Sequence, residues 1–473
     1  MTGVVPSDLG RVLAETRELS RSYLVGGCLR DWLLGLPQKD FDIEVFGISY
    51  ESLASALSKW GKTDLVGRSF GVVKLTTAYA TYDFTIPRRD SKSGPGHKGF
   101  EILFDPTITP EQAASRRDFT INALMYDPRA DTLLDFFGGE TDLQNRILRH
   151  TSPAFSEDPL RVLRGMQFCA RFRLTAAPET LALCHEMRAS FRELPRERVR
   201  EEWFKWASRS DVPSMGLHFL SRSGWIDFFP EIRALQGTPQ DPDWHPEGDV
   251  FTHTCHCCDA LATLPGWKAS DEESRIVYML AVLAHDFGKP ATTYGTIKDG
   301  HNRIVSPGHQ EVGVPIAEEF LNRINAPIAI QERVVPLVAN HMAHMQAVTD
   351  KAVRRLAKRL EPENIEGLCH IIAADYMGRP PKPVTFPDAV VLLKKRASQL
   401  QVNEKALKPV LLGRHLLELG MQPGRSVGDI LLRAYDAQID GKFEDLEGAY
   451  KWLAEEKIEL PTLVLDQLLE RAG

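Results

Sequence analysis

What the chain has little of narrows the field first. Its 473 residues include seven cysteines, an odd number in a long chain, which argues against a disulfide framework. Cys255, Cys257 and Cys258 crowd into HTCHCC, but no second Cys/His pair follows at finger spacing, so a structural zinc finger is not expected. No apolar run approaches the length that spans a bilayer, and the opening MTGVVPSDLG lacks a charged-then-apolar signal pattern. The expectation is a cytoplasmic protein with no membrane partner and no evident protein partner. A global excess of positive charge is also missing: the net charge is −7, so any surface for a polyanion has to be local. The rest is ordinary, with 43% hydrophobic and 26% charged residues, at a length that implies roughly two to four domains.

The chain is organised around residues 23–45, YLVGGCLRDWLLGLPQKDFDIEV. An apolar strand (Tyr23, Leu24, Val25) breaks at Gly26 and Gly27, a helical stretch carries Arg30, and a second strand is expected to carry Asp40 and Asp42. Backbone N–H groups at paired glycines can approach an anion closely, and the helix that follows points its positive end there. Arg30 adds a fork of donors for phosphate oxygens. Two aspartates two apart on a strand project from one face and can share divalent ions. Each feature alone also reads as a common turn or a solvated strand end. Together, at this spacing, they resemble the polymerase-β-like nucleotidyltransferases, in particular the bacterial tRNA nucleotidyltransferase and poly(A) polymerase family.

Further along, Val72-Val73-Lys74-Leu75 and Thr81-Tyr82-Asp83-Phe84-Thr85 suggest two paired strands, which makes Asp83 a candidate third carboxylate. Residues 87–99, PRRDSKSGPGHKG, have the composition of a mobile loop; in the family it resembles, a flexible loop here helps the change from cytosine to adenine addition. Residues 115–126, SRRDFTINALMY, read as a helix capped by Asp118 or Thr120, with Ile121, Leu124 and Met125 inward and Arg116 and Arg117 near its start. RRDFTINAL resembles the family's second motif, which implies that Arg117 binds nucleotide. Asp135-Phe136-Phe137-Gly138-Gly139 resembles its short third motif.

In EDPLRVLRGMQFCARF, Asp158 as N-cap with Pro159 at the first helical position starts a helix. Its Leu163, Met166 and Ala170 share one face, and Arg161, Arg164, Phe168 and Arg171 another. Spacing alone also fits an amphipathic helix with solvated arginines. A carboxylate and an arginine one turn apart can equally read base edges, accepting from the amino group of cytosine or adenine and donating to a ring nitrogen. That agrees with the Glu-Asp-x-x-Arg motif of class II CCA-adding enzymes, matched by Glu157, Asp158 and Arg161 with Arg164 following. Many members carry a third arginine where this chain has Gln167. The next helical segment, ERVREEWFKWA, could contact an RNA backbone without singling out residues.

Residues 235–249, LQGTPQDPDWHPEGD, mark a domain boundary by composition. Beyond it stand His253, the adjacent His285 and Asp286 at the end of an apolar helix expected to close at Gly288 and Pro290, then His309, His341 and Asp375. Adjacent His-Asp can ligate one ion. The ordered set resembles the HD superfamily of metal-dependent phosphohydrolases, which implies His253, His285, Asp286 and Asp375 as metal ligands, with His309 and His341 as auxiliary ligands or phosphate partners. The C-terminal segment after residue 387 is expected to be helical to Gly473.

The resemblances together imply an α+β fold, a polymerase-β-like nucleotidyltransferase head followed by an all-α body including an HD domain. The expected parts are a head over 1–145, a helical nucleotide-reading and RNA-binding region over 146–235, an HD domain over 245–385 and a helical C-terminal region over 386–473 with possible tRNA contact. The implied activity is template-independent addition of CCA to tRNA from CTP and ATP. Asp40, Asp42 and Asp83 would be catalytic, with Mg²⁺ on Asp40 and Asp42. Gly26, Gly27, Arg30, Arg117, Asp158, Arg161 and Arg164 would hold nucleotide. A divalent transition metal would serve the HD site in an accessory phosphodiesterase or phosphatase activity. The alternatives are a poly(A) polymerase, a CC-only or A-only enzyme, and an HD phosphohydrolase with an RNA-binding head.

Overall fold

The structure, a computed structural model, describes residues 4–38, 40–65, 71–92, 100–105, 107–383 and 385–456. The chain forms two units, Met1–Pro230 and Glu231–Gly473.

In the first unit, α1 (Ser7–Glu15) buries Leu9, Val12 and Leu13, apolar residues at helical spacing. Then come β1 (Ser22–Val25), α2 (Gly27–Leu33), β2 (Asp42–Val45), α3 (Tyr50–Leu57), β3 (Lys62–Asp64), β4 (Val72–Thr76) and β5 (Thr81–Thr85). A ribbon of β6 (Arg88–Lys92) and β7 (Phe100–Phe104), α4 (Pro110–Ser115), β8 (Met125–Asp127) and β9 (Thr132–Leu134) follow. Seven strands make one sheet in the order β3-β4-β5-β2-β1-β8-β9. One face, through Leu24, Ile43, Val45, Val73, Leu75 and Phe84, packs in a core with Leu9, Leu13, Leu53 and Leu57 from α1 and α3. Alternation along β2 and β5 therefore turns Asp42 and Asp83 to the opposite face. β2 and β5 are parallel, and their register sets Asp42 beside Asp83.

Two expectations change here. The segment 115–126 is not a helix: Thr120–Asn122 form a single 3-10 turn and Met125 enters β8, paired with Val25 of β1. Its apolar residues lead into a strand paired on both sides rather than forming a helical stripe, an ambiguity that short apolar runs carry. The stretch expected to be a mobile loop begins as β6, paired antiparallel with β7; its residues 93–99 lie outside the described residues.

The first unit continues through α5 (Gly139–Gln144), the parallel pair β10 (Ile147–Leu148) and β11 (Thr175–Ala176), α6 (Leu160–Phe172), α7 (Pro178–Glu186), α8 (Arg196–Arg209) and α9 (Pro213–Ser223). Leu163, Met166 and Ala170 of α6 are fully buried, as the spacing requires, and Asp158 accepts a hydrogen bond from Leu160 N at 3.0 Å at the helix start.

After α10 (Pro230–Arg233), the described residues of the second unit are helical apart from one hairpin. Its elements are α11 (Val250–Thr263), α12 (Pro265–Ala269), α13 (Glu272–Ala284), α14 (Lys289–Thr292), the hairpin β12 (Tyr294–Lys298) and β13 (His301–Val305), α15 (His309–Arg323), α16 (Ile328–Asn340), α17 (Asp350–Leu360) and α18 (Ile365–Met377). Every residue of α13 from Ile276 to Ala284 is buried, which fits a central helix that is apolar all round. A smaller cluster around Leu416, Leu419 and Leu453 holds together α20 (Gly413–Glu418), α21 (Arg425–Ile439) and α22 (Leu446–Glu455), which follow α19 (Asp388–Gln399). The tail read as helical to Gly473 lies outside the described residues beyond 456.

Candidate functional site

Each unit presents its own site. In the first, the strand–helix break at Gly26 has φ of +76°, a backbone that favours glycine, and a Cβ there would approach Arg117 Nη1 to 2.9 Å. Arg117 from the second motif thus sits directly over the first. Its Nη2 lies 3.6 Å from Glu44 Oε2 on β2, two residues beyond Asp42. Asp42 itself opens β2, so Asp40 precedes the strand rather than lying on it, a difference from the expected strand pair. The ladder still extends to Phe41, whose carbonyl accepts from Asp83 N at 3.1 Å. Asp83 pairs with Lys74 at 3.3 Å. The Asp42 carboxyl is raised above its ordinary value by desolvation and by the charges of Asp83 and Asp40, against the pull of Arg117 and Lys74. Such a like-charged set is eased by a divalent cation.

Gly26, Gly27 and Asp42 border a cleft of about 500 Å³ that also carries nine basic side chains and only two further carboxylates, Asp118 and Asp158. In a chain of net charge −7 this is the local positive field that a polyanion requires. Arg171 is crowded enough that burial and the neighbouring Arg30 pull its pKa down. Arg198, Lys205 and Arg209 of α8 line the same cleft; sequence reading stopped short of naming them, because a charged helix face does not say which cavity it meets.

Arg30 is placed differently from a free phosphate fork. It is buried, donates through Nε and Nη2 to Asp31 Oδ1 at 2.9 and 2.7 Å and through Nη1 to Asn122 Oδ1 at 2.6 Å, and lies 4.3 Å from the centre of the Phe172 ring. Asn122 Nδ2 donates to Asp118 Oδ1 at 2.9 Å, and Arg164 Nε donates to Asp118 Oδ2 at 2.8 Å. A continuous polar chain, Arg30–Asn122–Asp118–Arg164, therefore joins α2, the second motif and α6. Sequence reading took Asp118 for a helix cap and missed this role.

Asp158 and Arg161 both border the cleft, each already engaged. Arg161 donates to the carbonyls of Ala154 and Arg116 at 2.8 and 2.6 Å, and Asp158 Oδ2 accepts from Arg198 at 3.2 Å. Two of the five guanidinium donors anchor Arg161; they fix its plane. Gln167 is buried and lines the cleft, with its Nε2 lacking a hydrogen-bond partner.

In the second unit the fold brings together residues far apart in sequence. His253 lies in the first turn of α11, capped by Asp249; His285 and Asp286 follow α13, and Asp375 ends α18. Gly288 is not a left-handed helix terminator, its φ being −80°; a Cβ there would collide with the backbone of His309 and Gly313, so glycine is needed to let α15 approach. His285, His309 and His341 donate from Nδ1 to the carbonyls of Val282, Ser306 and Val338 at 2.6, 2.8 and 2.7 Å. His253 Nδ1 lies 2.7 Å from Glu247 Oε1. Every Nε2 thereby points inward, the nitrogen through which a neutral imidazole binds metal.

Those inward atoms meet. His253 Nε2 is 3.1 Å from Asp375 Oδ1 and 3.8 Å from Asp286 Oδ2; His285 Nε2 is 3.2 Å from Asp286 Oδ2. Asp286 Oδ1 faces His309 Nε2 at 3.4 Å, itself 3.1 Å from His341 Nε2. Burial and the neighbouring His285 push His341 down to about 3, a neutral ligand form. Burial opposes ionisation of Asp286, but His285, Lys289 and His309 hold its carboxyl well below the ordinary range. Asp286 Oδ2 also has the Lys289 ammonium 2.7 Å away, so a cation bound here would share that carboxylate with it. The donors fit a divalent metal centre. Glu247, from the stretch read as a bare domain boundary, escaped sequence reading because a lone Glu among Pro, Gly and Asp carries no periodic signal. Among the described residues no helix is long and apolar enough to cross a membrane.

The family model for the Poly A polymerase head domain matches residues 22–149, and that for the HD domain matches residues 250–377. The chain is 36% identical over 401 residues to the multifunctional CCA protein of Xylella fastidiosa, covering 82% of this chain and 91% of that protein. It is 35% identical over 395 residues to the multifunctional CCA protein of Pasteurella multocida, covering 80% and 90%. The crystal structure of the Bacillus stearothermophilus CCA-adding enzyme in complex with CTP aligns with a TM-score of 0.65 at 19% identity, over 96% of this chain and 98% of that one, a likeness of fold.

Proposed function

The chain belongs to the family of multifunctional CCA proteins, and from that premise we propose that its head adds CCA to tRNA 3′ ends from CTP and ATP without a template, while its second unit hydrolyses phosphate esters. The observation that carries the reading is Asp42 beside Asp83, facing a cleft with nine basic side chains. We divide the work among a head over 1–145, a nucleotide-reading region over 146–235, a hydrolase over 245–385 and a tRNA-contacting region over 386–473. The location that follows is the cytoplasm, where tRNA and both nucleotides are met.

In this reading the backbone N–H groups at Gly26 and Gly27, with Arg117 above them, bind the triphosphate. Arg30 and Arg164 act through the Asp118 chain, holding that floor in place. Asp158 accepts from the base amino group and Arg161 donates to its ring nitrogen, so the protein plays the part of template. Asp40 and Asp42 would hold Mg²⁺, with Asp83 the further carboxylate beside them, and the ion would lower the pKa of the attacking 3′-hydroxyl and neutralise the leaving pyrophosphate. In the second unit His253, His285, Asp286 and Asp375 hold a divalent transition metal that supplies an activated water; His309 and His341 extend the set on the far side of Asp286.

The test is extension of a labelled tRNA lacking its 3′ CCA, read at single-nucleotide length. Two residues are added with CTP and three with CTP and ATP. Addition of A only, or a long A ladder, transfers the assignment to the A-adding or poly(A) relatives. No extension by folded protein leaves only the hydrolase. A second measurement addresses that hydrolase: cleavage of a 2′,3′-cyclic phosphate falls at least about a hundredfold in Asp286→Ala, the upper end of what outer metal contacts alone are worth, while tRNA extension persists. Equal hydrolysis by the variant removes the metal assignment.

A further inference from the structure

We infer that Cys257 is a ligand of the metal in the second unit, making it a mixed thiolate, imidazole and carboxylate centre that favours thiophilic ions over magnesium. The inference rests on the reading of that unit as a metal site. Cys257 stands one turn after His253 on α11, so both side chains emerge from one face. Its Sγ lies 3.3 Å from His253 Nε2, the nitrogen that also faces Asp375 and Asp286. Two ligands on one tetrahedral zinc, at about 2.3 Å for sulfur and about 2.1 Å for nitrogen, stand roughly 3.5 Å apart. The observed 3.3 Å is close to that spacing, with Sγ also 3.7 Å from Nδ1 of the same ring.

The donor atoms of His253, Cys257, His285 and Asp375 all lie within 4.8 Å of one another. His285 Nε2, buried in the same group, is turned inward by the bond of its Nδ1 to the Val282 carbonyl at 2.6 Å, which aims that nitrogen at the other donors. The sulfur is also held in place. The end of α18 closes over it so tightly that a Cβ at Gly378 would come within 2.5 Å of Sγ. Cys255 and Cys258, though adjacent and buried, are not part of this group; the crowding of three cysteines hides one with a different setting. Thiolate is a soft donor and selects zinc-like ions, whereas a set of oxygen donors alone suits magnesium or manganese. On binding, the sulfur–metal bond forms as the thiol proton passes to solvent, and no oxidation state changes.

The test is titration of the full-length, metal-free protein with Co²⁺, followed by absorption. Wild type develops visible cobalt bands together with a near-ultraviolet thiolate-to-cobalt charge-transfer band. Cys257→Ser keeps the visible bands and loses the charge-transfer band, whereas Cys255→Ser keeps both, and metal-free thermal melts confirm that the variants fold. In competition, the preference for Zn²⁺ over Mn²⁺ falls by about tenfold or more in Cys257→Ser, the scale of one metal contact. Visible bands without a charge-transfer band in wild type, or a band that survives in Cys257→Ser, overturn the inference and leave the metal site standing. Failure of wild type to bind cobalt at all overturns the metal reading itself.

Discussion

Asp42→Asn abolishes nucleotide addition, with turnover falling by about 10³-fold or more, because loss of even one fixed contact to developing charge is worth about 10²–10³-fold. Asp42 is placed to act on charge rather than to hold the fold: it opens β2 beside Asp83, and neither residue belongs to the apolar core on the other face of the sheet. Stability separates the two explanations. The carboxyl of Asp42 is raised by desolvation and by the nearby Asp83 and Asp40, so its charged form is disfavoured in the folded protein. A neutral asparagine relieves that repulsion, and the unfolding midpoint of the metal-free variant stays level or rises. Loss of turnover with unchanged melting assigns the chemistry to this carboxylate. Retained turnover removes it from the reaction, and a lowered midpoint would make the loss a matter of folding.

The strand–helix–strand from Tyr23 to Val45 was legible because its parts are contiguous: Gly26, Gly27 and Asp42 lie within seventeen residues and their types suggest an anion beside a cation site. The side of the sheet that Asp83 faces was not legible. It is set by a parallel pairing of β2 with β5 that skips α3, β3 and β4, and nothing local to TYDFT states which strand it joins. Arg30 shows the converse. Its local setting suggests a free phosphate fork, whereas Asn122 and Phe172, distant in sequence, occupy it. RRDFTINAL was recognisable as a motif but misread as a helix, since its structure comes from strand pairing and from the buried Asp118 rather than from propensity. In the second unit the order of His and Asp residues was readable. The carbonyls that orient their rings, and Glu247 behind His253, depend on how helices distant in sequence converge.

Asp118→Asn destabilises the first unit by about 3 kcal/mol, the lower end for a broken buried pair because Arg164 is partly open to water. For a unit of roughly 230 residues that lowers the unfolding midpoint by about 6–12 °C. The size of the side chain is kept, so the loss reports the charge together with the one acceptor that an amide nitrogen cannot replace. Burial alone would raise the Asp118 carboxyl, but Arg164, then Asn122 and Phe119 N, outweigh it and hold the carboxyl below its ordinary value. A depressed folded pKa stabilises the protein above the unfolded value, near about 3.9, and that contribution is lost as pH falls through the folded value. The gap between wild type and variant is therefore widest at neutral pH and narrows below about pH 4. Melts recorded across that range check it. The same change frees Arg164 and loosens Asn122 from Arg30, so KM for CTP and ATP rises more than turnover falls. A midpoint that does not move with the substitution would mean that Arg164 and Arg30 are held by other contacts, and the chain through Asp118 would lose its place in the mechanism.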